Sequence, residues 1–225
     1  MRRSIILHPI TAVVSSSNRY FISDIHGCYL TLKTLLQKIR FNSKDMLYLL
    51  GDNIDRGPDS KKVLDWIIKN DNVVSILGNH EKLLLDSLSS FSMFKNWMSN
   101  GGDQTLKSFD VHSVKDIPVK YINYLNSMKT HLKIDKDIVA VHGGIDFTKK
   151  RPYRSKTGLV WNRDVEAHPN IKQIVGHTPK DLHEIVSSLY TNKIFIDGGC
   201  AYGGYLVVYN LDKDEIQYQK CIDIV

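Results

Sequence analysis

Five times in this chain an apolar run stops at residues that can bind a metal ion. The joints are FISDIHG at 21–27, GDNIDRGPD at 51–59 behind the run 46–50, VSILGNHE at 74–81, IVAVHGG at 138–144 and VGHT at 175–178. Taken singly each joint is weak, because Asp and His at a strand end are common turn formers and a lone His is commonly a satisfied loop residue. Their repetition is the signal. Asp24, His26, Asp52, Asn79, His80, His142 and His177 offer oxygen and imidazole donors and no thiolate, a softness that suits Mn2+, Fe or Zn2+ rather than copper or an iron–sulfur cluster. These donors exceed what one tetrahedral ion needs, but they suit two ions sharing a carboxylate, with Asp52 as the bridging candidate. Two-metal sites lower the pKa of a bound water and clamp the attacking and leaving oxygens of an in-line displacement. Phosphoester hydrolysis is the expected chemistry.

That chemistry needs a cation for the phosphoryl oxygens and a proton donor for the leaving group. Arg56 follows Asp52 closely, and its planar fork matches phosphate; its bland alternative is a surface ion pair with Asp55 or Asp59. His80, next to Asn79, is the acid candidate, and Asp55 could hold its imidazolium by a carboxylate hydrogen bond. A turn or helix-cap role for Asp55 is equally open on the residues alone.

These donors must be positioned by regular elements. Leu32, Leu35, Leu36 and Ile39 follow helical spacing over 29–39, after a short strand at 19–22. The unit repeats as strand 46–50 and helix 60–69, capped by Asp59 or Ser60, with Val63, Leu64, Ile67 and Ile68 facing inward. A third copy is strand 73–77 with a helix through Leu83, Leu84 and Leu88. Alternation of this kind implies a mainly parallel sheet with ligands at the strands' carboxyl ends. Asp24 and His26, two apart on an extended backbone, would project to one side. Residues 89–133, carrying Phe91, Phe94, Trp97, Tyr121 and Tyr124 around the break NGGD, read as a helical insertion beside the site. Strands are expected at 138–141, 171–175, 194–196, 205–209 and 215–221, the last three antiparallel through hairpin-length turns. The whole is an α/β sandwich of two sheets in one domain, 1–225.

Composition narrows the classes. With 225 residues, 42% apolar and 24% charged, the chain can build a substantial core. A net charge of +6 is spread without a basic stripe, so neither nucleic acid nor membrane is an expected partner. Cys28, Cys200 and Cys221 are widely spaced and lack any CxxC, which argues against a disulfide framework or a thiolate zinc site and fits a reducing cytoplasm. The start, MRRSIILHPITAVVSSSN, raises a signal peptide, but His8 and Pro9 interrupt its apolar stretch; a loose arm over 1–18 or an added edge strand is expected instead.

In order, SDIHG, GDNIDRG, GNHE, VHGG and GHTP resemble the signature of the PPP-type metallophosphoesterases, the serine/threonine protein phosphatase family, and above all its short bacterial and phage-type branch. The resemblance spans residues 20 to about 210. It implies a calcineurin-like metallophosphoesterase sandwich, mixed central β-sheets flanked by helices, holding two divalent ions, Mn2+ foremost with Fe or Zn2+ as alternatives. By resemblance Asp24, His26 and Asp52 bind the first metal, while Asp52, Asn79, His142 and His177 bind the second. His80 and Asp55 form the acid pair, and Arg56 and Asn79 hold phosphate. VWNRD at 160–164 makes Arg163 a second phosphate arginine, and CAYGG at 200–204 places Tyr202 beside substrate. Asp197, followed by two glycines where a threonine is common, is left outside the site.

The implied activity is hydrolysis of phosphoserine or phosphothreonine in a phosphoprotein or phosphopeptide, by a hydroxide activated between two metals, in a monomer or weak oligomer. An alternative on the same fold is a hydrolase of diadenosine tetraphosphate or other nucleotide polyphosphates. Those symmetrical enzymes tend to lack the aspartate of DRG and the glutamate of GNHE, so Asp55 and Glu81 favour the protein phosphatase. A metal-containing module without catalysis is the third reading, and no ligand is missing to support it.

Overall fold

The computed structural model describes residues 17–223. The expected N-terminal arm therefore lies almost wholly outside the described residues. Strands β1 (Arg19–Ile22), β2 (Met46–Leu49) and β3 (Val73–Ser75) alternate with helices α1 (Tyr29–Lys38), α2 (Ser60–Lys69) and α3 (Asn79–Ser87). Next come α4 (Phe91–Trp97), a π-helical turn (Met98–Gly102), α5 (Asp103–Phe109) and α6 (Val119–Ser127). The second half carries β4 (His131–Lys133), β5 (Ile138–Val141), α7 (Lys156–Trp161), β6 (Lys172–Val175), α8 (Leu182–Ser188) and β7 (Lys193–Phe195). It closes with β8 (Asp197–Gly198), β9 (Tyr205–Asn210) and β10 (Glu215–Lys220).

Two mixed sheets form the expected sandwich. One runs β10-β9-β1-β2-β3 with β8 on β9, the other β4-β5-β6-β7. Pairing is parallel from β1 through β3 and from β5 through β7, while β9 lies antiparallel to β1. Strand alternation explains the layers. In β1, Tyr20 and Ile22 join the core under α1 and α2, while Phe21 enters the layer between the sheets with Leu50, Ala140, Ile174 and Tyr209. Leu32 and Leu35 of α1 are fully buried on the same core, each burial contributing roughly 2 kcal/mol. Truncating either to Ala would open a cavity under β1.

Several expectations change. Strand β7 is not part of an antiparallel trio: it pairs parallel to β6, and of the three expected partners β9 and β10 alone form a hairpin with each other. After β7 the chain crosses to the other sheet, where β8 pairs with β9; turn length alone carries no information about such a crossing. Ile68 is 42% exposed and Leu88 36% exposed, since a residue five places on from Val63 lies about 140° round the helix. Asp59 occupies the N-cap of α2 without a side-chain cap bond. The insertion is helical only to Ser127 and ends in edge strand β4, and the expected break at NGGD is a kink between helices at Gly101, whose φ of +97° is not helical. Among the described residues no helix is long and apolar enough to cross a membrane.

Candidate metal centre

At the first two joints and at His177 the donors leave the strands in left-handed turns rather than on extended backbone, whereas Asn79 and His80 open α3. Asp24, His26, Asp52, Asp55, Arg56 and His177 account for six of the nine non-glycine residues with positive φ among those described. Such conformations cost free energy and persist where the surroundings over-determine them, as at functional sites. Here the first two joints are zipped together: His26 N donates to Asp52 O (2.8 Å), Gly27 N to Asn53 O (2.9 Å) and Gly57 N to His26 O (2.9 Å). At the third joint a Cβ on Gly78 would come within 2.2 Å of Asp52 Oδ1, so only glycine allows that approach. Glu81 ties the second joint to the third, accepting from the amides of Asp52 (2.9 Å), Asn53 (2.7 Å) and Gly78 (2.9 Å).

The structure brings the predicted donors together. Asp52 Oδ2 lies 3.3 Å from His142 Nε2, 3.6 Å from His26 Nε2 and 3.9 Å from His80 Nε2. Two groups of potential ligands result, His26–Asp52–His80 and Asp52–His142–His177, with Asp52 in both. Asn79 Oδ1 is 2.8 Å from His142 Nε2. Asp24 stands outside both groups; its Oδ2 accepts from His177 N (3.0 Å) and from the Ser23 hydroxyl.

Does this set fit metal ions? His26 Nδ1 donates to Ile54 O (2.8 Å) and His142 Nδ1 to Leu50 O (2.7 Å), so each ring turns its Nε2 inward, the backbone-anchored arrangement typical of ligating histidines. His177 Nε2 is buried without a hydrogen-bond partner among the described residues. Burial, then the neighbouring His80, holds His26 well below the usual imidazole range, and burial with His142 and Arg163 brings His177 down to about 3. Neutral imidazole is the ligating form. Burial alone would raise Asp52, but His142 and His80 outweigh it and keep the carboxyl well below its usual value. Burial opposes a proton on His142, yet Asp52 and Asp24 push it up to about 10. The carboxylates thus draw positive charge to the place where a cation would sit, and the residues fit.

The acid pair is embedded in the insertion. His80 Nδ1 donates to Asp55 Oδ2 (2.8 Å). The same carboxylate accepts from Trp97 Nε1 (2.9 Å) and from the Thr105 hydroxyl (2.6 Å). Burial tends to deprotonate His80, but Asp52 and the bond to Asp55 prevail and raise it. Trp97 and Thr105 are positioning residues that motif spacing does not reveal; Trp97 is marked only by its place in the aromatic insertion, and Thr105 only by following NGGD, in the stretch NGGDQT at 100–105.

At the rim, Arg56 Nη1 donates to His26 Nε2 (2.8 Å), and its guanidinium lies 5.0 Å from the centre of the Tyr202 ring. Gly101, with φ +97°, packs against it: a Cβ there would reach Arg56 Cγ at 2.8 Å. Arg163 Nη1 donates to His177 O (3.0 Å), and Trp161 meets His177 edge-on with centroids 5.7 Å apart. Tyr202 is 67% and Trp161 38% exposed. Asp197 is buried and accepts from Gly199 N (2.9 Å), and burial followed by Asp24 raises its carboxyl.

The sequence model of the calcineurin-like phosphoesterases matches residues 18–217. The chain is 39% identical over 130 residues to a symmetrical bis(5'-nucleosyl)-tetraphosphatase of Buchnera aphidicola, covering 56% of this chain and 44% of that protein. It is 40% identical over 85 residues to serine/threonine-protein phosphatase 1 of Salmonella typhimurium, covering 37% of this chain and 38% of that one. The chain thus spans less than half the length of the curated relatives it matches. In fold it is similar to the crystal structure of a candidate diadenosine tetraphosphatase, with TM-score 0.70, 19% identity, and 92% and 95% of the two chains covered.

These relatives overturn the expected phosphoprotein phosphatase: tetraphosphatases at 32–41% identity align over 130 residues or more, against 85 for the protein phosphatase. The structure shows why the argument from Asp55 and Glu81 fails. Both side chains are fully buried. Asp55 faces His80, Trp97 and Thr105, and Glu81 faces loop amides, so neither can select a substrate.

Proposed function

Since the chain belongs to the calcineurin-like phosphoesterase family, we propose that it hydrolyses nucleotide polyphosphates, with dinucleoside tetraphosphates cleaved symmetrically as the preferred substrates. The geometric observation that carries the reading is an exposed aromatic beside each group of donors. Tyr202 reaches the His26 group through Arg56, and Trp161 packs on His177. A substrate with a base at each end of a polyphosphate can stack on both, at about 1–3 kcal/mol per base. The likeness to the tetraphosphatases supports the same choice.

We assign Asp24, His26 and Asp52 to one divalent ion and Asp52, Asn79, His142 and His177 to a second, with Mn2+ as the first candidate. Ions held there would polarise phosphoryl oxygens and lower the pKa of a bound water. The protein's own groups do the rest. Arg56 and Arg163 hold phosphate oxygens, with the Tyr202 ring keeping the Arg56 guanidinium in place. Asp55 accepts from His80 Nδ1 and so leaves Nε2 as the proton-donating atom, aimed at the departing phosphate oxygen. Trp97 and Thr105 fix Asp55 in turn.

The test is a substrate panel. After chelation and reconstitution with Mn2+, Fe2+ or Zn2+, kcat/KM for diadenosine tetraphosphate should exceed that for a phosphoserine peptide by at least tenfold. A preference for the peptide would overturn the reading.

A further inference from the structure

The three cysteines, far apart in sequence, meet in space. Cys28 at the N-cap of α1, Cys200 in the loop before Tyr202 and Cys221 just after β10 have sulfurs all within 4.8 Å of one another. All three are buried in the apolar core beneath α1, and none is in a disulfide. Spacing in the sequence does not disclose this cluster, because 28, 200 and 221 are brought together only by the pairing of β9 with β1 and β10.

We propose that Cys28, Cys200 and Cys221 form a second, structural metal site for a single thiophilic divalent cation of the zinc and cadmium class. Two sulfurs each about 2.3 Å from one ion at a tetrahedral angle stand about 3.8 Å apart. Cys28 Sγ and Cys221 Sγ are 3.8 Å apart. Cys200 interacts with both of the others. A disulfide would use two of these sulfurs and leave the third unexplained, whereas an ion engages all three. Binding releases three thiol protons to solvent and leaves one net negative charge. The first-turn amides of α1 are already taken by the Asp223 carboxylate, which accepts from Leu30 N (3.0 Å) and Thr31 N (2.8 Å), so the charge of the ion itself must hold the three thiolates. The donors are softer than those of the Asp, Asn and His centre, so the two sites sort cations by class. An ion here would join the DIHG loop, the Tyr202 loop and the end of β10.

The test uses the full chain, stripped of metal under reductant and titrated with Co2+. Thiolate ligation gives a sulfur-to-cobalt charge-transfer band in the near ultraviolet, which oxygen and imidazole ligands do not. The band should appear, persist in Asp52→Asn, and be lost in Cys200→Ser and in Cys221→Ser. Should a serine variant fail to fold by circular dichroism, the wild-type spectrum decides alone. Absence of the band with three reactive thiols counted in denaturant would overturn the site and leave plain core packing. A disulfide in the unreduced protein together with no band after reduction, or a band undiminished in both folded serine variants, would overturn it equally.

Discussion

The buried donor cluster and the exposed rim of the same site are held in opposite ways. Inside, Asp52, His26, His80 and His142 are almost wholly buried, and each has a second bond that fixes it: to the first-turn amide of His80 in α3, a backbone carbonyl or Asp55. At the rim, the exposed Tyr202 ring has the Arg56 guanidinium against its face, and Trp161 meets His177 edge-on. The contrast teaches that the interior sets what chemistry is done, while the choice of substrate rests on few contacts. Substitutions should therefore divide into those that destroy turnover and those that change only which substrate is taken.

The largest effects belong inside. Asp52→Asn and His80→Asn should each lower kcat on diadenosine tetraphosphate by about 10²–10⁴-fold, with the far-ultraviolet dichroism unchanged; near-normal turnover in a metal-loaded variant would break the division at its root. One layer out, Trp97→Phe keeps the ring in its buried place but removes a donor to Asp55. We expect about a tenfold loss in kcat, little change in KM, and a stability cost of about 1–3 kcal/mol from the under-satisfied carboxylate, read from kinetics and urea melts. An equal loss on KM would move Trp97 to the substrate side.

At the rim the sign of the comparison changes. Trp161→Ala or Tyr202→Ala should raise KM for the dinucleotide by about 5–150-fold, from the stacking energy of one base, and lower p-nitrophenyl phosphate hydrolysis far less, by the looser hold on His177 or Arg56 alone. Outside both regions, Arg19 with Asp212 (2.7 Å) is a control. Burial opposes, but the bonds from Arg19 outweigh it and depress the Asp212 carboxyl. A depressed carboxyl contributes stability above its unfolded pKa of about 3.9 and loses it as pH falls through the folded value. Asp212→Asn should thus cost at most about 1 kcal/mol at pH 7, a difference that shrinks in melts run at pH values falling through and below the depressed carboxyl range.

How far this division is legible in the sequence follows from where each residue gets its neighbours. The donor joints are legible because parallel strands end where ligands gather, and each apolar run ends at its own donor. The backbone at Asp24 and His26 is not, since their left-handed turns depend on the neighbouring loop of Asp52 and Asn53. Trp97 and Thr105 stand 42 and 50 residues from Asp55 and reach it only when the insertion folds back. The cysteine cluster needs β9 and β10 in place beside β1. Asp55 and Glu81 mislead about substrate because sequence shows that a carboxylate is present but not that it is fully buried.

The most direct test of the account is the identity of the products. Reconstituted protein incubated with diadenosine tetraphosphate should give ADP alone, two per substrate consumed, by anion-exchange chromatography. Equal amounts of ATP and AMP, or an uncut dinucleotide under conditions that dephosphorylate a phosphopeptide, would contradict it.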